Sequence, residues 1–198
     1  MQRDVAVALV DFGNTILPGD SDHPAFGTRA RVVSRLDGFV ESICRKLARC
    51  VPAVVELEVR LYAGWRSSAG VETPSAVWAK TRIPQLPRRC DGRRVFARLA
   101  LSPACRPGER LLGTHRSGGQ KMVDTMMTVD ALHFANRVGT VVFVTDDDDF
   151  VPVAVAVAMT PRPRANLIWL RRREIGEGLN DAVLGRCDLT LDVLGGFP

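Results

Sequence analysis

Residues 141–153 read Val-Val-Phe-Val-Thr-Asp-Asp-Asp-Asp-Phe-Val-Pro-Val, and this stretch decides the fold. Val141 to Val144 is an unbroken apolar run. Such a run is how a strand covered on both faces reads, and four aspartates follow it almost at once. Phe150 to Met159 is rich in valine, yet a helix is predicted there, because a parallel sheet needs a crossover after each strand.

Working outward, Val5 to Val10 is a second valine-rich run, closing on Asp11-Phe12-Gly13-Asn14. It predicts another buried strand that delivers polar groups at its carboxyl end. Val32, Val33, Leu36, Phe39, Val40, Ile43 and Leu47 recur at helical spacing, the pattern of one apolar helix stripe. From Val54 to Tyr62, Val55, Leu57, Val59 and Leu61 alternate with Glu56, Glu58 and Arg60. That predicts a strand with one covered face. Lys121 to Phe134 reads as a helix, Leu167 to Leu170 as a strand, Asn180 to Leu184 as a short helix and Leu189 to Leu194 as a last edge strand. Between Gly64 and Gly119 prolines interrupt every pattern except Val95 to Leu101. An irregular insertion, or a substrate-facing region, within one domain spanning 1–198 is the expectation.

Strands alternating with helices imply an α/β fold with a central, mainly parallel sheet and helices on both faces. Ligands of such sheets sit beyond the carboxyl ends of the strands. Asp11 and the run Asp146-Asp147-Asp148-Asp149 both fall there. Two carboxylates about 4 Å apart repel by roughly 1 kcal/mol even in water, and by several times that near protein. At the end of a buried strand, three things relieve this: raised carboxyl pKa values, a neutralising arginine or lysine, or a hard divalent cation. Magnesium and manganese prefer carboxylate oxygen. Asp124, near the predicted helix start that follows Ser117-Gly118-Gly119, is a third contributor favoured by the helix dipole. Asp130 lies six residues on, points to another face and is expected to be structural.

The bulk composition agrees with a folded, non-membrane chain. Of 198 residues, 46% are hydrophobic and 25% charged, the balance of a globular protein. The longest apolar stretch, Val151 to Met159, is far too short to span a bilayer, and a cytoplasmic location follows as the default. Five cysteines without a Cys-x-x-Cys pair indicate neither a disulfide framework nor a zinc site. The net charge of +5 is uneven, with Arg88, Arg89, Arg93, Arg94 and Arg98 in one group and Arg162, Arg164, Arg171, Arg172 and Arg173 in another. Basic groups around an acidic centre suit a polyanion such as nucleic acid. A homo-oligomer or a protein partner is compatible with the sequence.

The segments VALVDFGNTI, QKMVDTMMTVDAL and VVFVTDDDDFVPV resemble the three motifs of the NYN domains, a branch of the PIN-like nucleases. The resemblance implies a PIN-like, Rossmannoid fold and phosphodiester hydrolysis with Mg²⁺ or Mn²⁺, on RNA ahead of DNA. It also implies that Asp11, Asp124, Asp147 and Asp149 are the catalytic metal ligands, with Asn14, Lys121 and Thr145 in support. Asp146 and Asp148 replace the glycine and serine usual in that family, and are read as supporting. Two other functions fit parts of the sequence. One is a PIN-like domain that binds RNA, or serves assembly, without cutting. The other is a phosphohydrolase of the haloacid-dehalogenase type with Asp11 as nucleophile, in which Gly13 would stand where a general acid is needed.

Overall fold

The computed structural model describes residues 2–12, 29–65, 71–72, 74–100, 113–114, 120–121, 123–161, 164–171 and 179–194. The two valine-rich runs are strands β1 (Gln2–Asp11) and β7 (Val138–Val144). They pair in parallel at the centre of a seven-stranded sheet. On one side of β1 come β2 (Glu56–Tyr62), β4 (Arg93–Leu99) and the two-residue β3 (Arg89–Cys90) at the edge. Beyond β7 come β8 (Asn166–Arg171) and β9 (Thr190–Val193). Every pairing in this sheet is parallel except β3 with β4. The chain moves outward from β1 in one direction, then returns to place β7 on its other side, so the order reverses between β1 and β7.

Strand alternation assigns the two faces. Ala6, Ala8 and Val10 of β1, with Leu57, Val59 and Leu61 of β2, pack in one layer. That layer is closed by helix α1 (Arg29–Cys50) through Leu36, Phe39, Val40, Ile43 and Leu47, and by α2 (Pro74–Arg82) through Ala76, Trp78 and Ala79. Cys44 is fully buried there, in the role of a small hydrophobe. Val7, Leu9, Val141, Phe143, Leu167 and Trp169 form the other layer. It is covered by α3 (Val123–Ala135), α4 (Val151–Met159) and α5 (Leu179–Leu184). The four valines of α4 show tertiary position overriding the low helix preference of β-branched residues. Pro152 sits in the first turn of α4, where its missing N–H costs nothing.

Three expectations are corrected. Both faces of β2 are covered, not one: Arg60 and Tyr62 are buried against α3. The charged face is tolerated because Arg60 pairs with both Glu58 and Asp130. Within 64–119, residues 74–99 are not irregular, since they supply α2 and β4, and β4 pairs with β2 along its length. Lys121 does not start a helix; it lies in the two-residue strand β6 (Gln120–Lys121), paired with β5 (Gly113–Thr114), and α3 begins at Val123. No helix among the described residues is long and apolar enough to cross a membrane.

Candidate metal centre at the strand crossover

Asp11 ends β1 and is only 1% exposed. Because Val7 and Leu9 face α3 and α4, two-residue alternation turns Asp11 to the same side. Thr145, one residue past β7 and fully buried, holds the neighbouring position. Its hydroxyl donates to Asp11 Oδ2 at 3.2 Å and accepts the Asp147 N–H at 3.0 Å. The Thr145 backbone is fixed too: its N–H donates to the Leu170 carbonyl, and its own carbonyl accepts the Trp169 indole N–H at 2.9 Å. A single buried threonine therefore links the ends of β1, β7 and β8 to the acidic run.

The four aspartates are not equivalent. Asp147 is extended, and its Oδ1 accepts the Asp149 N–H at 2.9 Å, capping the 3-10 turn Asp148–Phe150. Asp148 turns away and accepts from the Arg171 guanidinium at 2.7 Å. Arg171 is fully buried at the end of β8, with its guanidinium 5.1 Å from the centre of the Trp169 ring. Asp146 is half-buried and Asp149 exposed. Asp124 is the second residue of α3, which packs against the 3-10 turn. Partial burial holds its carboxyl pKa above the ordinary value, and the charges of Asp147 and Asp149 add to that rise. Asp124 therefore lies within electrostatic reach of those two acids, and their charges add to the rise that burial causes.

Asp130 is structural, as expected. It is fully buried, accepts from Tyr62 Oη at 2.5 Å and from Arg60 at 3.2 Å, and burial raises its pKa despite both partners. Tyr62 is the register partner of Asp11 across β1 and β2, so this network lies under the acidic centre. The sequence reading missed Tyr62. The signal was available in the alternation Glu58, Arg60, Tyr62, which places all three on the face Asp11 uses. Arg171 was misassigned to a substrate-facing cluster, although Leu167, Trp169 and Arg171 also alternate onto that face. Arg93 and Arg164 are buried as well, the latter paired with Asp188 at 2.7 Å. Arg88, Arg89, Arg94 and Arg98 remain exposed, the last two paired with Glu56 and Glu58. Asn14, Arg162, Arg172 and Arg173 fall outside the described residues, as does the side chain of Lys121.

Among the described residues, no three carboxylate, histidine or cysteine side chains are drawn into one coordination sphere. The donors at the crossover are nonetheless all carboxylate oxygens, the set that hard divalent ions take. Trp65 and Trp78 are buried against Phe12, with ring centres 5.3 and 5.8 Å away.

An open, mainly parallel sheet whose strand order reverses between β1 and β7 defines an α/β protein of the class in which ligands sit at the switch point, and here Asp11 and the acidic run lie at that end. The chain belongs to the NYN domain family, whose sequence model matches residues 42–167. The span takes in Asp124 and the acidic run, and Asp11 precedes it. NYN domains are PIN-like nucleases, which generally act on nucleic acid with divalent metal, and the resemblance drawn from the three motifs is borne out. Among solved structures, the chain is similar to a protein of unknown function from Vibrio parahaemolyticus. That likeness has 14% identity and a TM-score of 0.48, over 98% of this chain and 94% of that one. Among curated proteins none matches the sequence.

Proposed function

We propose that the protein is a divalent-metal-dependent endoribonuclease whose centre is built on Asp11, Asp124, Asp147 and Asp149. The observation that supports this is the placement of acids from three elements at one end of the sheet, where Thr145 bonds both Asp11 and the Asp147 N–H. The end of β1, the first turn of α3 and the 3-10 turn after β7 all contribute. The carboxyl pKa of Asp124 is raised by its partial burial and then by the charges of Asp147 and Asp149, which places the three acids within electrostatic reach of one another.

The residues fit Mg²⁺ or Mn²⁺ through their oxygen donors, and Asp11, Asp124, Asp147 and Asp149 would hold the ion. When bound, such an ion activates water and offsets phosphate charge in an in-line displacement. The remaining work belongs to the chain. Thr145 orients Asp11 and fixes the backbone of Asp147. Arg171 takes Asp148 out of the repulsive group, which leaves Asp146, Asp147 and Asp149 of the run. Asn14 and Lys121 support the site in this reading, with exposed arginines of the β3–β4 hairpin further out toward the RNA. Membership in the NYN family leaves the haloacid-dehalogenase reading without support.

Labelled single-stranded RNA and DNA incubated with and without Mn²⁺ test the proposal. Cleavage of RNA is expected from the wild type, and none above background from Asp11→Asn or Asp147→Asn with circular dichroism unchanged. Full activity in both variants, or in excess chelator, overturns it. Tight RNA binding without cleavage under Mn²⁺ would favour the non-catalytic binding module instead.

A further inference from the structure

Trp65, Ile83, Ala97 and Leu99 line a cavity of about 370 Å³ between α2 and β4, with Glu72, Lys80 and Arg98 on its solvent side. Its volume is in the range that small-molecule sites occupy, roughly 300–1,000 Å³. It opens at the carboxyl end of β4, the same sheet edge that carries Asp11. Phe12, the residue directly after Asp11, touches the Trp65 ring at 5.3 Å. β4 stands two strands from β1, about 10 Å at ordinary strand spacing. The cavity lies toward the α1–α2 layer and the acidic centre toward the other, so an extended strand crossing the sheet edge would meet both.

We propose that this cavity receives one nucleobase of the RNA strand whose phosphate reaches the aspartates, a subsite that rests on the endoribonuclease reading. Four features favour a nucleotide as the guest. Trp65 is 6% exposed, and its indole N–H has no hydrogen-bond partner among the described residues. A buried donor left unpaired is costly, and base edges offer acceptors. The indole and the aliphatic wall supply a sequence-tolerant stacking surface. Lys80, paired with Glu72 and with 53% of its side chain exposed, stands at the wall where a flanking phosphate of a bound base would lie. Glu72, the ion-pair partner of Lys80, adds an acceptor for an exocyclic amine.

The test uses the whole chain and fluorescein-labelled ten-nucleotide RNAs, one intact and a set each with a single abasic position. Binding is read by anisotropy in EDTA, and cleavage separately in Mn²⁺. Ala97→Phe fills the cavity from a strand that accepts aromatic residues. Trp65→Phe keeps a ring and removes the N–H. Filling the cavity is expected to weaken binding of the intact RNA by about 5- to 100-fold, the range for losing one stacked base. One abasic position should weaken wild-type binding comparably and have no further effect in Ala97→Phe. A flat abasic scan on the wild type overturns the inference, and needs no variant to fold. So does a folded Ala97→Phe that binds and cuts like the wild type. If the wild type neither binds nor cuts RNA, the endoribonuclease reading fails and takes the subsite with it. If RNA is cut and the scan is flat, only the subsite fails.

Discussion

Asp148 accepts a 2.7 Å hydrogen bond from the buried guanidinium of Arg171, whereas Asp124 meets the charges of Asp147 and Asp149. These two carboxylates make opposite contributions to stability. Replacing Asp124 by the near-isosteric Asn removes repulsion without changing shape. For partly exposed acids that repulsion is worth up to about 1 kcal/mol. In chelator at neutral pH, Asp124→Asn is therefore expected to melt ~1–3 °C above the wild type. The pH dependence has a fixed sign. A carboxyl whose folded pKa is raised holds its proton more tightly when folded, so its stabilising contribution is present at low pH. It is lost as pH rises through the raised value. The gain in the variant should therefore be smallest near and below the ordinary value of 3.8 and largest at neutral pH. Added Mn²⁺ should reverse the order, raising the wild-type melting temperature more than that of the variant. A variant less stable than the wild type in chelator contradicts this account. Arg171 makes the complementary case. Arg171→Met removes the buried guanidinium that Asp148 accepts from, and a loss of about 3 kcal/mol or more is expected. Adding Asp148→Asn should restore part of it. Urea midpoints of the two variants decide, and equal midpoints would show that the ion pair is not the cause.

At the scale of elements, the legible parts were those whose side chains obey one period. β1, β7, α1 and β8 follow from unbroken or evenly spaced apolar residues, and with them the placing of Asp11 and the acidic run at strand ends. The split within the run was not legible from its own residues. Which aspartate turns away depends on Arg171, which only the β7–β8 pairing brings alongside. The charged face of β2 misled for a related reason. Glu58 and Arg60 read as solvent-facing, but α3 covers Arg60 and Tyr62 and answers them with Asp130 and with Phe134, whose ring centre lies 4.3 Å from the Arg60 guanidinium. α2 has no strong apolar stripe and is hidden among prolines, so its burial is visible only once β4 lies beside β2. The Tyr62–Asp130 bond ties β2 to the helix that presents Asp124, which makes it testable as a tether. Tyr62→Phe should cost about 1.5–3 kcal/mol, the range for a hydrogen bond to a charged group. Amide exchange should rise in α3 beyond the global loss. Unchanged exchange in α3 would show that helix packing alone holds it.

For the molecule as a whole, the two apolar layers share one sheet, and nearly every central strand contributes to both. Ala8 and Val10 face one layer while Leu9, between them, faces the other; Val142 and Phe143 divide likewise. Neither layer can lose its strands without exposing the reverse face, so the two layers are expected to unfold as one cooperative unit. The three tryptophans allow a direct check, because Trp65 and Trp78 lie in the α1–α2 layer and Trp169 in the α3–α5 layer. In Trp169→Phe, fluorescence reports the first layer alone; in the double variant Trp65→Phe/Trp78→Phe it reports the second. Each substitution shifts stability by its own amount, so the comparison belongs within a variant, between fluorescence and far-ultraviolet circular dichroism. Coincident urea transitions in both proteins are the expected result. If fluorescence in either variant changes at a urea concentration where circular dichroism does not, the layers unfold separately. The acidic centre, which takes Asp11 and Thr145 from the sheet and Asp124 from α3, would then lose its geometry before the fold is lost.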